Sequence, residues 1–177
     1  MGDSLLDAAF AHHAWATERL IDACSSLSAE QLATDVPDGF GSVLRTLQHV
    51  VGSDAFDLAI VAGKSLETAD TKQMGLSELR AESEATARGW VAFLATAPAA
   101  AAMIREVDPD DGYQRDAPLG IRLVGALEHG MEHRGQISSG LKMLGIEPPR
   151  IGVFDFGLER GVVVEVYPED GPPPPAP

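Results

Sequence analysis

The stretch Leu127–Pro149, LEHGMEHRGQISSGLKMLGIEPP, decides how the rest of the chain is read. It opens with two histidines four positions apart, His129 and His133, and closes with Gly145 followed by Pro148 and Pro149. Residues four apart on a helix differ by roughly 40° in direction and about 6 Å in height, so both imidazoles can lean toward one point. A glycine just past the last periodic residue, with proline soon after, ends a helix. The spacing predicts a helix from about Gly120 to Leu144, with Gly125, His129, His133, Ile137, Gly140 and Leu144 on one inward face.

A third histidine, His49 in RTLQHVVG, lies far upstream. Three convergent neutral imidazoles can hold a divalent transition metal, zinc or nickel by ligand type, and leave a coordination position open. Such a site would join two elements far apart in sequence and would exist only in the folded protein. Histidines satisfied inside a core make the same pattern, so spacing alone leaves both readings open.

Outward from this stretch, three more helices can be read. From about Asp3 to Cys24, Leu6, Ala9, Phe10, His13, Ala16, Leu20 and Cys24 recur at three- and four-residue steps. Ser28 and Gln31 have capping-box spacing for a short helical turn before PDGFG breaks the chain. A second long helix starts near Ser42 and is apolar over most of its circumference, which predicts a central, buried position but leaves the direction of His49 undefined. A third starts with Ser77 as N-cap and runs until Pro98.

Between the third and fourth helices, PDDG in AAMIREVDPDDGYQRDAPLG predicts a turn between two short strands. After the fourth, IGVFDF and GVVVEV read as short strands or extended arms, and EDGPPPPAP as a mobile tail. The expected fold is all-α: an antiparallel four-helix bundle over residues 1–150 with a small hairpin insertion, followed over 151–177 by an extended C-terminal arm and Pro-rich tail.

Composition narrows the partners. A length of 177 residues at 45% hydrophobic content suits a single domain with a real core. A formal charge of −14 opposes binding to nucleic acid or to anionic membrane surfaces, since both need a basic patch. A small-molecule substrate is the expected partner. MGDSLLDAAFAHHAW lacks the basic and apolar pattern of a secretory signal, and no run is long enough to span a bilayer, so a cytoplasmic location is expected. The single cysteine, Cys24, is read as a buried apolar filler.

Three segments carry a resemblance to a known family: AHHAWATERLI around Trp15, SVLRTLQHV ending near His49, and LEHGMEHRGQISSGLKMLGIEPP. Together they resemble the DinB/YfiT-like superfamily of metal-binding four-helix bundles, over about residues 3 to 149. The resemblance implies a metal held by His49, His129 and His133. It departs in the first helix, where that family commonly carries asparagines around its tryptophan and this chain has His13 and Thr17.

Characterised members of that superfamily include S-transferases and isomerases that use low-molecular-weight thiols, so the resemblance implies activation of such a thiol at the metal. Three lysines against ten arginines, with abundant alanine and glycine, fit a GC-rich genome and favour mycothiol as the thiol. His13 is the candidate proton carrier, with a core or rim histidine as the plain alternative. Arg134 and Gln136 follow the second ligand and are candidates for orienting the site or a substrate anion, although Arg134 could equally pair with a glutamate. His12 is expected to do nothing specific, and Asp54 and Asp57 reach a site only if their helix turns them inward. The resemblance, with the apolar pieces after residue 150, also implies a homodimer. Two other classes remain open: a non-catalytic metal-binding stress or scaffold protein, and a metal-dependent hydrolase in which His13 would take the proton from water.

Overall fold

The computed structural model describes residues 4–64, 70–107 and 112–166. All of its α-helices but the longest begin where a side chain caps the backbone of the first turn. Ser4 and Asp7 cap each other's backbone at the start of α1 (Leu5–Cys24), and Ser28 and Gln31 do the same for the short α2 (Ala29–Leu32). Ser42 caps α3 (Val43–Val61) by accepting from the N–H of Arg45.

The expected cap of the next helix is corrected: α4 (Leu76–Leu94) starts behind Gly75, not Ser77. Glu78 reaches back to accept the Gly75 N–H at 2.8 Å, so the glutamate supplies what the serine was expected to provide. Strands β1 (Met103–Val107) and β2 (Gln114–Pro118) form the expected antiparallel hairpin, with Arg105 opposite Asp116. Most of its PDDG turn lies outside the described residues, as does the proline-rich tail. The last long helix, α5, spans Leu119–Met143.

The IGVFDF segment is not extended. Val153–Glu159 is a further helix, α6, opened by Asp155 accepting the Gly152 N–H at 3.2 Å. Phe156 is buried against Trp15 of α1, with ring centroids 5.4 Å apart, while Trp15 Nε1 donates to Glu159 at 3.0 Å. Burial of one aromatic face therefore overrides the alternating pattern that suggested a strand. Residues 161–166, GVVVEV, contain no strand.

The four long helices form the expected all-α bundle with its hairpin insertion, but not with every neighbouring pair antiparallel. Leu20, Cys24, Val43, Leu47, Val50, Leu79, Ile137 and Leu141 share one apolar cluster, and Phe10, Leu58, Val61, Trp90, Leu119 and Leu123 share another. The pairing gives the helix directions. The ends of α3 meet the opposite ends of α5, and α1 runs against α4, whereas α3 and α4 run the same way. Parallel α3 and α4 require the chain to return before α4 starts, and Gln48 marks that return by donating to the Met74 carbonyl at 2.9 Å. Between the two apolar clusters lies a polar layer containing buried His13, Thr17 and Arg134. Polar groups in such a layer must find partners or a ligand.

Candidate metal centre

Helix α3 brings His49 to the α3–α5 seam, where it meets His129 and His133. Nε2 of His129 lies 3.1 Å from Nε2 of His49 and 3.1 Å from Nε2 of His133. The donor atoms of all three residues lie within 4.8 Å of one another. Two of the rings are held by neighbours outside the cluster. His133 Nδ1 is 2.6 Å from Gln136 Oε1, so the amide oxygen accepts the ring N–H and leaves the Nε2 lone pair aimed at the cluster. The Phe40 ring stacks on His49 at 3.8 Å, nearly parallel.

Two of these rings are biased toward the neutral form. Burial, reinforced by the neighbouring His133 and His129, pushes His49 down to about 4, and burial followed by His133 lowers His129. With the His133 Nδ1 proton directed at Gln136, the converging Nε2 atoms cannot all hydrogen-bond one another, because too few ring protons point inward. A divalent cation resolves that conflict, so the donor set fits a transition metal. The direction of His49, which the sequence left undefined, is toward His129 and His133.

Two cavities open at the cluster and share Ser53 and Phe56 as a common wall. The first, of about 330 Å³, includes His49, Phe40, Arg45, Gln48 and Lys72. The second, of about 350 Å³, includes His129, Asp57, Glu106, Arg115 and Arg122. Asp57, set aside on sequence grounds, therefore shares a cavity with a candidate ligand. Burial first, and then the carboxylates of Asp54 and Glu106, push Asp57 up to about 7 despite Arg122.

The other expected site residues separate. Gln136 joins the site through His133, and its amide also donates to the Asp38 carbonyl at 2.7 Å. His13 and Arg134 lie on the α1 side of α5. The inward axis of α5 runs through Leu123, Ala126, Gly130, Arg134, Ile137 and Leu141, and the two histidines occupy its edge. Arg134 is only 4% exposed, and its Nη1 contacts His13 Nδ1 at 3.2 Å and donates to Thr17 Oγ1 at 3.1 Å. No glutamate takes the role of partner to Arg134 among the described residues. Glu128 and Glu132 are exposed, as expected for positions turned away from the seam.

Asp54, expected to reach a site only if its helix turned it inward, is turned inward. Its Oδ1 accepts from Trp90 Nε1 at 2.8 Å and lies 3.2 Å from His13 Nε2. Because the arginine donates to His13 Nδ1, the ring proton belongs on Nε2, facing this carboxylate. A carboxylate on a helix that is otherwise apolar was the available signal. His12, expected to be idle, has its Nε2 2.9 Å from the Ile151 carbonyl and so tethers the segment leading into α6.

A family model described as DinB family matches residues 1–158. The match runs through most of α6, past residue 149 where the resemblance read from motifs ended. Among curated proteins, no match to the chain was found. No helix of the described residues is long and apolar enough to cross a membrane.

Proposed function

The chain belongs to the DinB family, and from that premise we propose that it is a metal-dependent S-transferase or isomerase acting on a small molecule with a low-molecular-weight thiol of the mycothiol type. The observation that carries this reading is the convergence of three imidazoles at a point reached from two open cavities. A bound zinc or nickel ion would supply Lewis acidity that lowers the pKa of a thiol at an open coordination position. His49, His129 and His133 hold the charge centre, Gln136 orients His133, and Phe40 fixes the plane of His49. Arg45 and Lys72, which line the cavity beside His49, offer cationic partners to acidic groups of a thiol cofactor. Cys24 takes no part, since burial pushes its thiol up to about 12.

The test compares metal-loaded protein, the His133→Ala variant and free metal at equal metal concentration, each with several cofactor thiols and a chromogenic electrophile. Thiol-dependent turnover confined to the intact protein is expected. Equal rates in all three samples for every thiol would remove the transferase reading and leave a binding protein.

A second reading, metal-dependent hydrolysis, is favoured by Asp57. His13, the sequence candidate for taking a proton from water, is 1% exposed and engaged in the core. Asp57 instead lines the cavity that contains His129 and has an affinity for protons near neutrality. Thiol-independent cleavage of an ester or amide that disappears in Asp57→Asn would select this reading. We also propose a homodimer, for which exposed Val153, Phe154, Val164 and Val166 supply apolar surface.

A further inference from the structure

A third cavity, of about 490 Å³, lies on the opposite side of α5 from the three histidines, between α1, α5 and α6. Its walls are mostly apolar, with Leu5 and Ala9 from α1, Met131 from α5, Phe154 of α6 and Val163 beyond it, and the His12 and His13 rings line it beside Arg134. Arg134 is the charged side chain in this lining. Among the described residues, the hydrogen bonds of its guanidinium are all made by Nη1, to His13 Nδ1, to Thr17 Oγ1 and, at 3.4 Å, to the His13 carbonyl.

Among the described residues, Nε and Nη2 of Arg134 have no protein partner, yet neither is sealed from the cavity. Nor does any carboxylate lie within ion-pair distance of the group. An arginine 96% removed from solvent with three of its five N–H donors on nitrogens without a protein partner is costly unless an anion completes it. The two free nitrogens form one edge of a planar fork, which matches the two oxygens of a carboxylate. The hydrophobic walls match an apolar body behind such a head.

We propose that this cavity binds a small amphiphilic monocarboxylate, its head group on the Nε and Nη2 edge of Arg134 and its hydrocarbon body between α1, α5 and α6. The site is separate from the three-histidine centre and does not depend on the function assigned to that centre. Occupancy would bridge Arg134 of the bundle to the apolar side chains of α6, and so tighten the docking of α6.

The experiment is calorimetric titration of the full-length protein with octanoate, 1-octanol and octylamine, which share a body and differ in the head. Octanoate should bind more tightly than octanol by roughly tenfold or more, the ratio one charge-assisted hydrogen bond commonly provides, and octylamine more weakly than either. Arg134→Gln should bring octanoate and octanol to equal affinity. Ala9→Phe, which fills the cavity without touching the guanidinium, should weaken both. His49→Ala should leave octanoate binding unchanged.

Four results would overturn the proposal: no octanoate binding, equal affinity for acid and alcohol in the unaltered protein, a preference for acid that survives Arg134→Gln, or loss of octanoate binding in His49→Ala. The last would place the carboxylate at the metal centre instead. If Arg134→Gln does not fold, the ranking of the three head groups together with the Ala9→Phe and His49→Ala titrations still decides.

Discussion

Nε2 of His13 on α1 lies 3.2 Å from Oδ1 of Asp54 on α3, and the same carboxylate oxygen accepts the indole N–H of Trp90 on α4. One acidic side chain thus joins three of the four long helices at the level where the apolar clusters give way to polar groups. Arg134 extends the connection to α5 through the other face of the His13 ring.

Replacing Asp54 with alanine is expected to destabilise the protein by about 1–3 kcal/mol, because it strands the indole donor of Trp90 away from water and removes the carboxylate beside the buried His13 ring. Asp54→Asn retains an acceptor and should cost less. Urea unfolding followed by far-UV circular dichroism measures both. An alanine variant as stable as the unaltered protein would show that the carboxylate is not a structural anchor.

Gln136→Leu should reduce affinity for zinc or nickel by roughly 10- to 100-fold while leaving helix content unchanged, since it frees the His133 ring to rotate and change tautomer. The readout is competition against a chromogenic chelator. His49→Ala, His129→Ala and His133→Ala should each go further and abolish stoichiometric binding. Undiminished metal content in all of them, by elemental analysis, would sink the three-histidine assignment.

Asp57 predicts a pH dependence. Its pKa is raised from 3.8 unfolded to about 7 folded, by burial first and then by Asp54 and Glu106. Between these values the folded state holds more protons than the unfolded state, so the contribution is fully present below about pH 4 and is lost as pH rises through 7. Asp57→Asn should therefore be more stable than the unaltered protein at pH 8, by about 1–3 kcal/mol, with little difference at pH 4. Parallel stability curves at the two pH values would contradict this.

Truncation after Pro149 removes α6, Phe156 and the Glu159 acceptor of Trp15. An expected loss of about 2–4 kcal/mol follows from the exposed tryptophan and the lost aromatic contact. Light scattering on the same pair of proteins tests the proposed homodimer, for which the full chain should give twice the monomer mass. A truncated protein with unchanged thermal stability would mean that α6 is not an integral part of the bundle.

What could be read from the residues alone was local or periodic. Ser28, Ser42 and the four-residue spacing of His129 and His133 each act within one or two turns, and each is found where the pattern places it. His49 could not be aimed in advance because α3 is apolar on most sides, so periodicity singles out no face. Asp54 and Arg134 were harder still. Their partners are supplied by other helices, and a charged residue 4% exposed runs against the ordinary tendency of arginine to stay wet. In IGVFDF, alternation of large and small residues imitates a strand. The contrary signal was Gly152 followed at capping distance by Asp155, which becomes visible only when the Trp15 face of α1 is known to need covering.

The stacking of Phe40 on His49 has a kinetic meaning. The loop carrying Phe40 is closed at its base by a β-bridge between Asp35 and Ser42 and tied to α5 by Gln136 through the Asp38 carbonyl. The nitrogens that would determine how tightly an ion is held belong to α3 and α5, whereas the ring screening one of them belongs to this loop. Affinity and exchange rate are therefore assigned to different parts of the chain. Phe40→Ala should let a chelator strip the ion faster while equilibrium occupancy stays close to that of the unaltered protein, a separation that stopped-flow and equilibrium measurements would resolve.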